Sequence, residues 1–90
     1  MYRNKSMYIS PEINVIGKRL DEALPEVDKY LDDAYMAGLS QVSIIHGRGT
    51  GALKNGLRDM FRKHRDVESF TSASYDGGGE GVTIVTLKST

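Results

Sequence analysis

The chain has no cysteine, only two histidines and a formal net charge of zero, and each shortage removes a class of answer. Without cysteine there is no disulfide framework and no thiolate metal site, and two isolated histidines cannot build a zinc cage by themselves. A net charge of zero argues against a protein that coats nucleic acid by bulk charge alone. A long apolar run is also missing. No stretch approaches membrane-spanning length, and Met1–Ser10 is polar and mixed in charge, with no apolar segment of signal-peptide length. The chain reads as soluble and cytoplasmic, with no membrane partner. Ninety residues leave room for one small domain whose folding rests on packing a single modest core.

What is present is unevenly placed. Residues 20–37 carry Asp21, Glu22, Glu26, Asp28, Asp32 and Asp33 against Lys29, whereas residues 46–65 carry Arg48, Lys54, Arg58, Arg62, Lys63 and Arg65 against Asp59. Each group reads most simply as the solvated face of a helix. The basic one gains interest because it is attached to a glycine loop, His46-Gly47-Arg48-Gly49-Thr50-Gly51.

Residues 1–12 show no periodicity and read as a flexible tail or linker, so the chain looks like a piece of a longer protein, with the domain at 13–90. Ile13–Ile16, stopped by Gly17, suits a short buried strand. Leu20, Leu24, Val27, Leu31, Ala34 and Tyr35 form one stripe of a helix that Gly38 closes in the left-handed conformation. Pro25 inside that stretch predicts a slight kink or a late helix start. Gln41–His46 is the second strand. Ala52 to about His64 is the second helix, with Leu53, Leu57, Met60 and His64 inward, Phe61 at the border, and Lys54, Arg58, Arg62 and Arg65 as a basic stripe. Gly56 weakens that helix unless a neighbour approaches closely. Val67–Ser74 and Val82–Leu87 are the last strands. The order β-α-β-α-β-β predicts an α/β two-layer sandwich: a four-stranded mixed sheet with both helices on one face. Parallel strands then bring the Ile16-Gly17 turn, the His46 loop and the Tyr75–Gly81 loop to one edge.

A glycine loop between strand and helix gathers backbone N–H groups where phosphate binds. The P-loop pattern fails, because Ala52-Leu53-Lys54 stands where Gly-Lys-Ser/Thr is required. The dinucleotide fingerprint matches weakly, as Gly47-x-Gly49-x-x-Ala52 with Glu68 downstream, but a dinucleotide domain needs more strands than this chain holds.

Ile13 to Gly17, His46-Gly47-x-Gly49-x-Gly51, and a glycine cluster leading into Gly81-Val82-Thr83-Ile84-Val85 together resemble the Smr (small MutS-related) domain family over residues 13–88. The resemblance implies a fold like the C-terminal domain of translation initiation factor three and nicking endonuclease activity on DNA or RNA. It also implies a place within a longer MutS-related ATPase linked to recombination suppression and ribosome rescue. ATP binding would belong to that parent chain, and the ribosome, with its rRNA, joins DNA and RNA as an implied partner. The family's first-strand motif, Leu-Asp-x-His/Arg-Gly, stands here as Ile13-Asn14-Val15-Ile16-Gly17. Asn14 cannot serve as a base or carry charge to a metal, and Ile16 removes a phosphate contact. The alternative reading is therefore a non-catalytic DNA-, RNA- or ribosome-binding module, and a third is a small-ligand phosphate binder.

On the nuclease reading His46 is the general base or acid, suited by its ordinary pKa to proton transfer near neutrality. Arg48 forks onto phosphate oxygens. Gly47, Gly49, Thr50 and Gly51 supply loop contacts, and Lys54, Arg58 and Arg62 track the strand backbone. The bland reading of His46 is that it caps the sheet edge and bonds a loop carbonyl. His64 reads as packing, and Tyr75 as either base stacking or loop packing. Asp76 and Glu80 flank the glycine cluster and become metal-ligand candidates if that loop reaches His46. No cofactor is called for beyond the divalent metal that nuclease chemistry admits.

Overall fold

In a computed structural model describing residues 8–89, the elements run β1 (Glu12–Asn14), α1 (Leu20–Met36), β2 (Gln41–Ile45), α2 (Ala52–Lys63), β3 (Val67–Ser72) and β4 (Val82–Leu87). Two single turns of 3-10 helix, Tyr75–Gly77 and Gly79–Gly81, link β3 to β4. Residues 1–7, most of the expected tail, lie outside the described residues.

The sheet order is β1-β2-β4-β3, with β1 parallel to β2 and β4 antiparallel to both β2 and β3. Strands β1, β2 and β3 consequently point the same way, and their C-terminal ends share one edge with the start of β4. The mixed sheet and the two helices form the expected α/β sandwich. Its core joins Val27 and Leu31 of α1, Leu57 and Phe61 of α2, and Val42, Ile44, Val85 and Leu87 of the central strands.

Helix α1 buries Ala23, Val27, Leu31 and Ala34 at spacings of four, four and three, which keeps one stripe on the sheet. It starts at Leu20 despite Pro25, so the late start does not occur. The Glu22 side chain accepts the Arg19 N–H at 3.0 Å and ties off one end. At the other, Gly38 at φ +83° completes a Schellman closure: its N–H bonds Tyr35 O at 3.0 Å and the Leu39 N–H bonds Ala34 O at 3.1 Å.

Other boundaries shift for local reasons. Strand β1 ends at Asn14 rather than Ile16 because Asn14 Oδ1 accepts the Ile16 N–H at 2.9 Å, an Asx turn that swings the chain out of the ladder. Strand β3 stops at Ser72, not Ser74. Phe61, placed at the border by its helical phase, is a core residue 1% exposed and packs against Phe70 with ring centroids 5.6 Å apart. Gly56 answers to a close approach: a Cβ there would lie 2.5 Å from Leu20 Cδ2, so the side chain opening α1 lies against a bare stretch of α2.

Candidate functional site

Helix-facing residues of β2 alternate as Val42 and Ile44, and the next position in that alternation is His46. It inherits their burial, at 4% exposed. Its Nδ1 lies 2.8 Å from Gly47 O and its Nε2 lies 2.8 Å from Thr83 Oγ1. A carbonyl only accepts, so the imidazole proton is on Nδ1, and Nε2 accepts the Thr83 hydroxyl. Thr83 is fully buried and in turn accepts from Arg58, at 3.2 Å from Nη2 and 3.4 Å from Nε. Arg58 donates also to Ser72 Oγ at 2.8 Å. The chain Arg58–Thr83–His46–Gly47 thus satisfies a buried polar row beneath α2. Burial, more than any other influence, holds the His46 imidazole below its ordinary pKa; the Gly47 bond opposes this and the charges of Arg58 and Lys54 add to it.

The three loop glycines take positive φ, +78° at Gly47, +41° at Gly49 and +89° at Gly51, a path that a side chain would strain. The loop is pinned from the side by the β3–β4 connection, where Gly81 O accepts the N–H groups of His46 at 3.1 Å and Gly47 at 2.9 Å. At its end Gly51 is the N-cap of α2. The Gly51 N–H closes onto Arg48 O at 3.1 Å and the Ala52 N–H onto Thr50 Oγ1 at 3.3 Å. Among the described residues, the N–H groups of Arg48, Gly49, Thr50, Leu53 and Lys54 have no protein acceptor, and these are the donors left for an anion.

These residues border an open cleft of about 480 Å³ whose opposite wall is the turn from β1 into α1, with Ile16, Gly17, Lys18, Arg19 and Leu20. Lys18 and Arg19 were not singled out from the sequence. Their signal is positional: they follow β1 as the His46 loop follows β2, and both turns lead into helices at the same edge. Lys18 pairs with Glu26 at 3.0 Å and Arg19 with Asp21 at 3.0 Å, all four exposed. Exposed Arg48 extends over the 3-10 turns, its Cγ 3.7 Å from where a Gly81 Cβ would stand, and among the described residues it has no ion-pair partner.

The basic stripe of α2 divides on inspection. Lys54 pairs with Glu80, and that hydrogen bond is the main reason the Glu80 carboxyl is held below its usual pKa. Arg58 is turned into the sheet as described, its guanidinium 5.5 Å from the Phe70 ring centroid. Arg62 pairs with Asp59 at 2.6 Å and lies 5.6 Å from the same ring centroid. Of the four basic candidates only Arg48 lines the cleft; Lys54 follows its last lining residue, Leu53, and is turned to Glu80, and α2 carries the other two away. Thr83 and Ser72 were also missed; the clue is a hydroxyl at position 83, in the inward register of β4 shared with Val85 and Leu87.

Carboxylates do not converge at the cleft. The glycine cluster does reach the His46 loop, but Glu80 is spent on Lys54 and Asn14 Oδ1 on Ile16. The described residues bring Asp28, Asp32 and His64 together instead, at the far end of α2, roughly 18 Å away for a twelve-residue helix. His64 lies beyond the last helical residue as its C-cap, and its side chain, 5% exposed, approaches Asp28 Oδ1 at 3.2 Å and Asp32 Oδ1 at 3.4 Å through Nε2. Its Nδ1 accepts the Asp66 N–H at 3.1 Å, which puts the neutral ring's proton on Nε2, facing the carboxylates. A metal on Nε2 would need that proton on Nδ1, against the Asp66 N–H, so the donor set fits a helix-to-helix tie and not a cation site.

Comparison with known proteins bears on the family and the fold. A family model, the Smr domain, matches residues 13–88. The chain is 58% identical over 85 residues to Endonuclease MutS2 of Lachnoclostridium phytofermentans and 48% identical over 86 residues to that of Geobacillus kaustophilus. These alignments cover 94% and 96% of this chain but only 11% of each relative. Among solved structures, the Smr domain of Thermus thermophilus MutS2 superposes with a TM-score of 0.84 at 44% identity, over 86% of this chain and 96% of that one. YdaL, a stand-alone small MutS-related protein from Escherichia coli, shares the fold, with a TM-score of 0.82 at 24% identity over 87% of this chain and 64% of that one.

Proposed function

The chain belongs to the Smr domain family, and from that premise we propose that it grips a nucleic-acid strand by its phosphates in the cleft beside the His46–Gly51 loop and nicks that strand, as one domain of a longer MutS-related chain. The observation that carries this reading is the cleft itself: Arg48, without an ion-pair partner among the described residues, faces Lys18 and Arg19, each tied to one exposed carboxylate, and five backbone N–H groups beside them have no acceptor among those residues. Arg48 takes two phosphate oxygens in a fork. The N–H groups of Gly49 and Thr50 hold a third contact, while Gly47 and Gly51 supply backbone shape, and Lys54 joins when it exchanges Glu80 for phosphate. Arg58 and Arg62 lie outside this contact set, and Arg58 serves it by holding Thr83.

Hydrolysis needs a proton acceptor for water and a donor for the leaving oxygen. His46 is the imidazole at this edge; it enters the reaction when Nδ1 releases Gly47 O and the ring proton sits instead on Nε2, donating to Thr83 Oγ1, so that Nδ1 is free to take the proton of the attacking water and pass it to the leaving oxygen. Its lowered pKa keeps it neutral, the form required of a base. No reaction step is assigned to a metal, since the cleft lacks converging carboxylates. The longer chain's ATP chemistry, any ribosome contact and a cytoplasmic setting belong to the same proposal and rest on the family alone. No helix among the described residues is long and apolar enough to cross a membrane.

A second reading, a binding module that does not cut, is favoured by two specific observations: both His46 nitrogens are already engaged, and Asn14 offers an amide where the resemblance calls for a carboxylate. Supercoiled-plasmid and RNA nicking by wild type, His46→Ala and Asn14→Asp, with and without divalent metal, separates the two. Cutting by wild type that His46→Ala abolishes supports the nuclease. Equal cutting by both refutes the role of His46, and cutting gained only in Asn14→Asp establishes the module.

A further inference from the structure

Tyr75 is 89% exposed, and Ile16 is 57% exposed. Both are large side chains left in water at the edge that carries the cleft, Ile16 just after β1 and Tyr75 just after β3. For Tyr75, loop packing is excluded by that exposure, yet the loop bearing it is held firmly. The Gly77 and Gly79 N–H groups both bond Ser74 O at 2.9 Å, and Gly81 O takes the two N–H groups of the His46 loop. An aromatic ring mounted on a fixed turn, bare of neighbours, is a stacking platform awaiting a planar group.

The sheet order sets the distances. From the end of β2, three residues before Arg48, to the end of β3, three residues before Tyr75, is two strand spacings, about 10 Å, and the Arg48 side chain leans toward the Tyr75 side, over Gly79. At the ~3.4 Å rise of a stacked strand, that spans at most about three nucleotides. The charges along this path are also narrow. Lys18, Arg19 and Arg48 line the cleft, and carboxylates interrupt the positive charge: Glu26 pairs with Lys18, Asp21 with Arg19, and Glu80 with Lys54 next to the cleft. One backbone can follow such a path, whereas the second backbone of a duplex would meet carboxylates. A paired base inside a duplex, moreover, has both faces covered and offers none to Tyr75.

We propose that the ligand is a single-stranded polynucleotide segment that crosses the sheet edge from the Lys18 side past Arg48, with Tyr75 stacking on an unpaired base within about three nucleotides of the phosphate held by Arg48. This rests on the phosphate-cleft reading and adds to it the strandedness, the direction of the path and the residue that reads it. Stacking tolerates any base, so DNA and RNA present the same chemistry to the ring.

The test is fluorescence-anisotropy binding of the 90-residue chain to a labelled oligothymidylate, an oligouridylate and a blunt DNA duplex of equal length. Tyr75→Ala should weaken single-strand binding about 5- to 100-fold and leave duplex binding unchanged, and Tyr75→Phe, which keeps the ring, should bind like wild type. A loss seen with one single strand only identifies DNA or RNA as the ligand. Undiminished single-strand binding by Tyr75→Ala overturns the proposal, as does an equal loss on the duplex. Arg48→Glu distinguishes the two levels of argument. If it leaves all binding intact, the phosphate cleft itself is wrong; if it abolishes binding while Tyr75→Ala does nothing, the cleft stands and the stacking platform falls.

Discussion

Replacing Thr83 by valine keeps the shape of a fully buried side chain and deletes one hydroxyl. That hydroxyl donates to His46 Nε2 at 2.8 Å and accepts from Arg58 at 3.2 Å. Its loss strands the imidazole acceptor in a site where water is excluded, at a cost of about 1–3 kcal/mol for a buried unsatisfied group. Arg58 loses less, since its shorter bond to Ser72 Oγ at 2.8 Å remains. Taking about 2 kcal/mol and the usual 4–8 °C per kcal/mol for a domain of 60–100 residues, Tm should fall by about 8–16 °C. Thermal unfolding followed by circular dichroism at pH 7.5 measures it. Thr83→Ser restores the hydroxyl and should recover most of the loss, short of one buried methyl at about 0.8 kcal/mol. The nitrogen-15 shifts of His46 supply a second readout: the proton stays on Nδ1 in wild type and in Thr83→Ser. A valine variant that melts within 1 °C of wild type would refute the buried polar row as a stabilising unit.

Arg48→Ala should lower affinity for a single strand about tenfold or more and reduce the slope of log affinity against log salt by about one, as removal of one phosphate contact requires; an unchanged slope contradicts the contact. Glu80→Gln frees Lys54 and removes a carboxylate beside the cleft, so nucleic-acid affinity at low salt should rise, and no rise would mean that Lys54 does not reach the phosphates. Acidification reports on His46 with a definite sign. Its folded pKa lies below the ordinary 6.5, so the unfolded chain takes up the proton first; the contribution is complete above about pH 6.5 and is lost as pH falls from there through the depressed folded value. Melting temperature should therefore decline between pH 7.5 and 5.5 in wild type and decline less in His46→Gln, and parallel curves would contradict the assignment. Phe61→Ala should cost about 3–5 kcal/mol, which urea unfolding would read; a loss under 1 kcal/mol would return Phe61 to the border of the core.

The sandwich was legible because each element carries its own periodicity and stop: the Val27–Leu31–Ala34 stripe, the Gly38 closure, the β-branched run of β4. Residues 46–51 were legible as a tight loop between strand and helix for the same reason, since a strand feeding alternate glycines into a helix leaves few other conformations. Side-chain destinations were less visible. Arg58 belongs to the same stripe as Lys54 and Arg62 by spacing, yet the hydroxyls of Ser72 and Thr83 draw it into the sheet, and those partners are 14 and 25 residues away. Phe61 moved from border to core because Phe70, on a strand formed later in the chain, covers its side. Lys18 and Arg19 became cleft residues only once β1 and β2 were parallel neighbours, a fact of topology. His46 shows both sides of the matter: its place on the inward alternation of β2 could be read from the sequence, and its occupied nitrogens could not.

The most direct test of the phosphate cleft is a titration of the nitrogen-15-labelled chain with a short oligonucleotide, followed by amide shifts at each residue. The account predicts the largest changes at Arg48, Gly49 and Thr50, with further ones at Lys18, Arg19 and Tyr75, and little at Asp28, Asp32 and His64. Shifts concentrated at that far end of α2, with the glycine loop unmoved, would contradict it.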